Sequence, residues 1–306
     1  MNEALWSPTA QAIADSRLTQ FSQLVTRETG NNFTDYNALH HWSVTAPEQF
    51  WQLAWQYFEI HASLVSEETV SQIELFPGAK WFPKSRLNYA ENLLREDSDK
   101  IAFVSHLENG ERREKSYHEL GIETAAIAQH LKNRGIEAGD RIAGWLPNIP
   151  ETAIAMLGAA SLGGVWSSCS PDFGSPGALD RFGQIEPRVL FACDGYYYAG
   201  RRIDIRDKVR LVAADIPSIE QIIWVAVLND EFELEANEAL WTDTLATPND
   251  GLSFAQLPFD HPLYILYSSG TTGKPKCIVH GPGGPLIQHM QEHQLHLDFD
   301  EDDTPC

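Results

Sequence analysis

The sequence predicts an α/β fold in which a helical N-terminal portion precedes alternating strands and helices. Residues 1–98 carry apolar side chains at helical spacing, and from residue 99 onward short branched apolar runs alternate with segments of helical periodicity. The chain has 306 residues, of which 43% are hydrophobic, so it can bury one large core or two ordinary ones. We therefore expect two domains, 1–98 and 99–306.

Two helices are predicted in the N-terminal portion. Ser7 followed by Pro8 is typical of a helix start, and the helical spacing continues to a stop at Gly30. Thr45 and Glu48 have the spacing of a capping box, which would begin a second helix. That helix has a largely aromatic stripe on one face, formed by Phe50, Trp51, Ala54, Trp55 and Phe58. A stripe of this kind is typical of a helix packed against a core.

Residues 99–306 predict a parallel sheet with helices on both faces, because strands that alternate with helices pair in parallel. Ser116 and Glu119 form a capping box for a helix that ends at Gly135, and Asn148 is predicted to cap a helix that runs toward Gly163. The predicted strands are residues 141–146, 165–169, 189–193 and 222–228.

A polar stretch, YSSGTTGKPK at residues 267–276, lies between two apolar runs at 263–267 and 277–279, so it is predicted to connect two strands. Its glycines allow backbone amides to approach an anion, its hydroxyls add donors, and its lysines add positive charge. The stretch therefore predicts a polyphosphate site. The candidate residues are Ser268, Ser269, Gly270, Thr271, Thr272, Gly273, Lys274 and Lys276.

Two other interpretations of this stretch are disfavoured. A nucleoside-triphosphatase P-loop needs four residues between its glycines and a helix afterwards, whereas two residues separate Gly270 from Gly273 here. Pro275 also disfavours a helical conformation at Lys274. A flexible linker rarely lies between two apolar runs, so this alternative is also disfavoured.

Composition excludes several functional classes. A net charge of -21 argues against nucleic acid and anionic membranes as partners. The N-terminus lacks the basic and apolar regions of a secretory signal, and the largely apolar stretch 153–166 is shorter than the about 20 residues that span a bilayer. The four cysteines have no metal-binding spacing and suit reduced thiols. We expect a cytoplasmic protein without a membrane span.

The last residues of the chain resemble two kinds of metal site. His289, Glu292 and His293 match the H-x-x-E-H pattern of inverted zinc peptidases, and His296 would lie one turn further along the same helix face. A polar face on a surface helix explains the same residues, and no third ligand can be identified. Asp298, Asp300 and Asp302 alternate as in an EF-hand, but Asp303 stands where glycine is required. We predict no metal site.

A basic segment covers residues 198–210. Five basic residues against two acidic ones leave it a local net charge of +3. It could bind an anionic tail or form an exposed helix face, and the sequence does not decide between them. No G-x-S-x-G or G-x-G-x-x-G motif is present, so hydrolase and dinucleotide-binding functions have no support.

The stretch 267–276 resembles the phosphate-binding signature of the adenylate-forming enzymes, a superfamily that includes acyl-CoA synthetases, firefly-type luciferases and peptide-synthetase adenylation domains. The resemblance extends over nearly the whole chain, and residues 1–98 resemble the N-terminal extension of acetyl-CoA synthetases. The segments that carry it are LWSP at 5–8, WSV at 42–44, FW at 50–51, WFP at 81–83, RLNYAENLL at 86–94 and KCIVHG at 276–281.

The resemblance implies an adenylate-forming large domain and an ATP-dependent acid:CoA ligase. Acetoacetate or a similar short acid would be the substrate, with ATP, Mg2+ and CoA as co-substrates and AMP and pyrophosphate as products. In that family the lysine equivalent to Lys276 is characteristic, whereas Lys274 is at a variable position. Gly200 and Arg201 are implied, by a looser match, to contact CoA.

The resemblance also implies that the domain is incomplete at its C-terminus, with the family's adenylation lysine beyond Cys306. We therefore expect the chain alone to be inactive. A non-catalytic protein that binds a nucleotide or a partner is the alternative.

Overall fold

A computed structural model of the chain describes residues 5–228, 231–268, 273–300 and 303. The chain divides into two compact units. The first, here the helical unit, comprises Met1–Ser85, Pro258–Asp260 and Gly283–Cys306, and the second, here the sheet unit, comprises Arg86–Leu257 and His261–Pro282. The domain boundary placed after residue 98 stays a prediction.

The helical unit begins with helices α1 Ala10–Asp15, α2 Arg17–Thr29, α3 Tyr36–Thr45 and α4 Pro47–Tyr57, followed by the short antiparallel strands β1 Val70–Ser71 and β2 Lys80–Trp81. The single helix predicted from Ser7 is two helices, which corrects the prediction. Thr9 caps α1, and Ser16 has extended backbone and caps α2 through its hydroxyl, which interrupts the helix. Gly30 ends α2 as predicted, with a left-handed φ of 75°.

The capping box predicted at Thr45 and Glu48 is wrong. The Thr45 hydroxyl donates to the His41 carbonyl at 2.8 Å, and α4 begins at Pro47, whose fixed φ suits a first helical position. The aromatic stripe of α4 nevertheless packs in the core as expected. Phe50 and Trp55 are buried, and the Phe50 ring meets the Phe21 ring edge-on at 5.7 Å.

The following elements alternate along the chain as β3 Arg86–Leu87, α5 Tyr89–Leu93, β4 Ile101–His106, β5 Arg112–Ser116, α6 Tyr117–Asn133, β6 Arg141–Trp145, α7 Pro150–Ser161, β7 Val165–Cys169, α8 Ser175–Ile185, β8 Val189–Cys193, β9 Gly195–Tyr198, β10 Arg201–Asp204, α9 Arg206–Asp215, β11 Gln221–Val225, β12 Glu238–Leu240, α10 Trp241–Leu245, β13 Leu257–Pro258, β14 Tyr264–Ser268 and β15 Lys276–His280. The chain then forms α11 Gly283–Met290 and a π-helix, Gln291–His296. None of the described helices is long and apolar enough to cross a bilayer.

The sheet unit is built on a seven-stranded sheet with the order β12-β11-β8-β6-β7-β14-β15. The strands β12, β11, β8, β6, β7 and β14 are parallel to one another, and β15 is antiparallel to β14. The chain moves from β6 to β7 on one side and then to β8 on the other side of β6. Because such crossovers are right-handed, these opposite moves place α7 and α8 on opposite faces of the sheet, as predicted.

The predicted elements of the sheet unit agree closely with the structure. Strands β7 and β8 have the predicted bounds, and β8 and β11 are buried at every position. The Ser116–Glu119 capping box is present at α6. Asn148, however, is not a helix cap: Ile149 occupies that position and Pro150 begins α7.

Candidate phosphate-binding site

The polar loop leaves the sheet at the carboxyl end of β14, between this strand and its antiparallel neighbour β15. Ser268 pairs with Lys276, so this pair closes the loop at its base. On its other side β14 pairs with β7, which lies next to the point where the strand order reverses: β7 is on one side of β6, and the next strand, β8, is on the other. Ligands of open α/β sheets bind at such a point, outside the carboxyl ends of the strands. The predicted strand-loop-strand arrangement is therefore present.

The described loop residues have the exposure that ligand binding requires. Lys274 and Lys276 are exposed, and neither has an ion-pair partner within the described part of the chain. Gly273 has a φ of +95°, a conformation that L side chains rarely adopt, although space for a Cβ is available. Ser268 is half-buried. Ser269, Gly270, Thr271 and Thr272 lie outside the described residues.

The start of the loop is anchored in the sheet. The Tyr267 hydroxyl lies 3.0 Å from the Ser167 hydroxyl, which donates to the Ile265 carbonyl at 2.9 Å. Burial raises the pKa of Tyr267 to about 12, so this residue is a neutral phenol at physiological pH. Burial likewise raises the pKa of the Cys169 thiol, at the end of β7, to about 12. Neither group supplies an anion that would repel phosphate.

Sequence reasoning missed one face of α8 that contacts both ends of the loop. The Arg181 guanidinium lies 4.1 Å from the centre of the Phe173 ring and 5.6 Å from that of Tyr267. The Gln184 amide donates to the Pro275 carbonyl at 3.0 Å. No local sequence signal links these residues to the loop, since Gln184 and Pro275 are 91 positions apart.

The residues assigned to CoA lie at a different position on the sheet. Gly200 lies in the tight turn between β9 and β10, and Arg201 is the first residue of β10; this hairpin follows the carboxyl end of β8. Strands β6 and β7 separate β8 from β14 in the sheet order. Ala199 and Gly200 both have positive φ, 49° and 72°, and Arg201 is exposed. The Ala199 N–H donates to the Glu108 carboxylate at 2.7 Å.

The basic segment 198–210 is divided between β10 and α9, and part of it has a structural role. Arg206 pairs with Asp204. Arg210 makes two bonds of 2.8 Å to Glu238, whose side chain is fully buried. These arginines are neutralised inside the unit, so the segment does not present all five cations to one anionic partner.

The residues considered for zinc do not converge on a metal site. His289 lies in the last turn of α11, whereas Glu292, His293 and His296 lie in the π-helix that follows, so the four residues do not share one continuous α-helix. The His289 and His293 rings stack with centres 6.3 Å apart. Across the described residues, no three potential ligands form a group that could hold a metal ion.

The acidic residues that resemble an EF-hand also have a structural role. Asp298 accepts the Arg17 N–H at 2.8 Å, at the start of α2. Asp303 accepts the Asp300 N–H at 2.9 Å, and Asp302 lies outside the described residues. These carboxylates therefore cap backbone amides.

Comparison with known proteins decides the family. The model of the AMP-binding enzyme family matches residues 90–305. The chain belongs to the AMP-binding enzyme family. A second family model, of the acetyl-coenzyme A synthetase N-terminus, matches residues 36–93. The resemblance inferred from the sequence is confirmed.

Individual relatives are similar to this chain in sequence as well as in fold. The chain is 42% identical over 297 residues to an acetoacetyl-coenzyme A synthetase of Rhizobium meliloti, covering 95% of this chain and 45% of that protein. The solved structure of an acetoacetyl-CoA synthetase from Streptomyces lividans superposes with a TM-score of 0.93 at 39% identity, covering 99% of this chain and 47% of that one. A malonamoyl-CoA synthetase of Penicillium aethiopicum is 37% identical over 320 residues, covering 99% and 44%. The chain thus spans less than half the length of each relative.

Proposed function

We propose that this chain provides the polyphosphate-binding part of an ATP-dependent acid:CoA ligase, which forms an acyl-adenylate and then a thioester. The observation that carries the proposal is the hairpin of β14 and β15, which exposes Lys274 and Lys276 at the carboxyl edge of the sheet without ion-pair partners within the described residues. Membership of the AMP-binding enzyme family supports it.

The proposed role of the loop is electrostatic. Lys276 and the loop amides would bind the β- and γ-phosphates of ATP, which orients the α-phosphate toward the attacking carboxylate and offsets charge on the departing pyrophosphate. Mg2+ would neutralise further phosphate charge. It is commonly held by substrate phosphates and water rather than by a protein cage, and no cage of three ligands exists within the described residues. The exposed Lys274 and Lys276 would contact phosphate oxygens of such a Mg2+–ATP complex.

For CoA we propose a contact at Gly200 and Arg201. The turn at these residues is exposed, and Gly200, at a φ of 72°, has no side chain that would separate its backbone from an incoming phosphate. Arg201 would add a charged donor that matches phosphate geometry.

As the acid we propose acetoacetate or a similar short acid. The relatives are named for acetoacetyl and malonamoyl groups, which are both short acyl groups with a second carbonyl at the β-position. Protein containing this chain should release AMP, in the presence of ATP, Mg2+ and CoA, fastest with acetoacetate or malonamate. Assays with acetate and a long-chain acid in parallel provide the comparison, and a clear preference for either of those two would contradict the proposal.

We further propose that the partners are small molecules and that the protein works in the cytoplasm. The net charge of -21 disfavours nucleic acid, and the free thiols Cys169 and Cys193, both buried, suit a reducing compartment.

Binding and catalysis can be tested separately. Calorimetry with ATP and AMP on this chain measures whether the loop binds polyphosphate, and thioester formation measures turnover. Lys276-dependent ATP binding by this chain would support the proposed site, and thioester formation by protein that contains this chain would separate the ligase from the non-catalytic alternative. Absence of any Lys276-dependent ATP binding would contradict the proposed site.

A further inference from the structure

One face of α8 contacts the chain on both sides of the phosphate-binding loop. Arg181 lies over the ring of Tyr267, two positions before the first loop residue outside the described part. Gln184 donates to the carbonyl of Pro275, the residue directly before β15. Arg181 and Gln184 are three positions apart in one helix, so their side chains project from the same face. A single rigid element therefore holds both ends of the loop.

Both side chains are themselves held in place. Arg181 donates to the Gly177 carbonyl at 2.8 Å and stacks on Phe173, and Gln184 donates to the Asp180 carbonyl at 2.5 Å. An adjacent face of α8 is anchored in the core, where Ala178, Phe182 and Ile185 are buried. The helix can therefore transmit the rigidity of the core to the loop.

The hairpin needs such support. Strand β15 is at the end of the sheet, pairs within the described residues with β14 alone, and is exposed at its first four positions. A polar loop next to an exposed edge strand loses conformational entropy when it is ordered by a bound ligand. Holding its ends beforehand reduces that loss and so increases affinity.

We infer that Arg181 and Gln184 are positioning residues that hold the two ends of the phosphate-binding loop in the arrangement that binds polyphosphate. The inference rests on the proposed function of the loop. Neither residue is required to touch the ligand; they act through Tyr267 and Pro275.

The first test replaces Gln184 by methionine, which keeps the size of the side chain and removes its donor. We expect Gln184→Met to weaken the binding of inorganic triphosphate to this chain about threefold to tenfold, the equivalent of one ordinary hydrogen bond. The matched control is Gln129→Met in α6, because Gln129 bonds Asn133 within its own helix. Thermal melting of both variants checks that folding is unaffected.

A double-mutant cycle shows whether Gln184 acts through the loop. In a Lys276→Ala background, Gln184→Met should cost much less affinity than in the original chain, since the loop then lacks its principal cation. An equal cost in both backgrounds, or no cost in the original chain, would overturn the inference.

Arg181 is tested by a conservative change. Arg181→Lys keeps the charge but loses the planar group that stacks on Tyr267, so it should weaken triphosphate binding as Arg181→Met does. If lysine restored full binding, charge and not positioning would be the role of Arg181.

Hydrogen exchange separates this inference from the proposed function. Gln184→Met should accelerate amide exchange in the β14–β15 hairpin, residues 264–280, and leave β8 unchanged. If the unaltered chain showed no Lys276-dependent triphosphate binding, the proposed function would fail. Unchanged exchange in the hairpin would contradict the positioning role itself.

Discussion

The parallel strands of the seven-stranded sheet carry charged residues near both of their ends, and the two ends use them in opposite ways. The side at which these strands begin is here the amino edge, and the side at which they end is the carboxyl edge. At the amino edge, Arg188 precedes β8 and bonds Asp140, before β6, at 2.7 Å and Glu220, before β11, at 2.8 and 3.0 Å. At the carboxyl edge, Lys274 and Lys276 are exposed and have no ion-pair partner in the described ranges. One edge joins strands with its charges, whereas the other leaves its charges available.

The pKa shifts follow this division. Hydrogen bonding to Arg188 holds the pKa of Glu220 below its usual range. Burial opposes the same effect at Asp140, but the Glu137 N–H and Arg188 still lower the pKa of that carboxyl group. A cation that is already paired would have to lose its partner before it could bind phosphate. The paired charges of Arg188, Asp140 and Glu220 therefore stabilise the fold, whereas Lys274 and Lys276 remain candidates for contact with a ligand.

The largest expected effect is on ligand binding at the carboxyl edge. Lys276→Ala should weaken ATP binding about tenfold to a hundredfold, the range for a hydrogen bond to a charged group, and should hardly affect AMP. Calorimetry with both nucleotides measures this difference. Lys132→Ala, at the exposed end of α6, is the control. Equal losses for ATP and AMP would show that Lys276 does not bind the polyphosphate.

A smaller effect is expected on stability at the amino edge. Arg188→Met should lower the free energy of unfolding by about 1 to 2 kcal/mol, discounted because Glu220 is half-exposed, and should leave triphosphate binding unchanged. Arg201→Met, an exposed arginine on the carboxyl side, should change stability by less than about 0.5 kcal/mol. Urea unfolding measures both. Similar losses in the two variants would refute the contrast between the edges.

The smallest effect concerns pH. Because the folded pKa values of Asp140 and Glu220 are lowered, the stability they contribute is present above their unfolded values, near about 4, and is lost as the pH falls through the folded values. Unfolding free energies measured between about pH 6 and 3 should fall less in Arg188→Met than in the original chain. Parallel pH curves would show that Arg188 is not the source of the shifts.

Local patterns were reliable where neighbouring residues alone decide the conformation. The run at 165–169 is a strand with the predicted bounds, and the capping box of Ser116 and Glu119 forms because both partners lie within one helical turn. The same pattern at Thr45 and Glu48 failed, because Pro47 takes the first helical position and Thr45 bonds within the preceding helix. A capping pattern therefore needs a chain that is free to turn at that point.

For the candidate site, the sequence identified the loop but not its supports. The glycines, hydroxyls and lysines of 267–276 are consecutive, so composition and spacing suffice to recognise them. In the sequence, all the elements from β8 to β13 lie between α8 and the hairpin that carries the loop. Nothing in the local sequence of Arg181 and Gln184 indicates the contact. The π-helix at the zinc-like histidines was equally invisible, since the pattern assumes α-helical spacing.

The sequence by itself predicted the strands of the central sheet other than β12, several helices, and the loop as a candidate phosphate site, because these depend on periodicity and on adjacent residues. Only the tertiary structure decided the strand order, the pairing of Arg188 with Asp140 and Glu220, and the contact of α8 with both ends of the loop. These features join residues that are far apart in the chain, and their energy exists only once the parallel sheet has assembled.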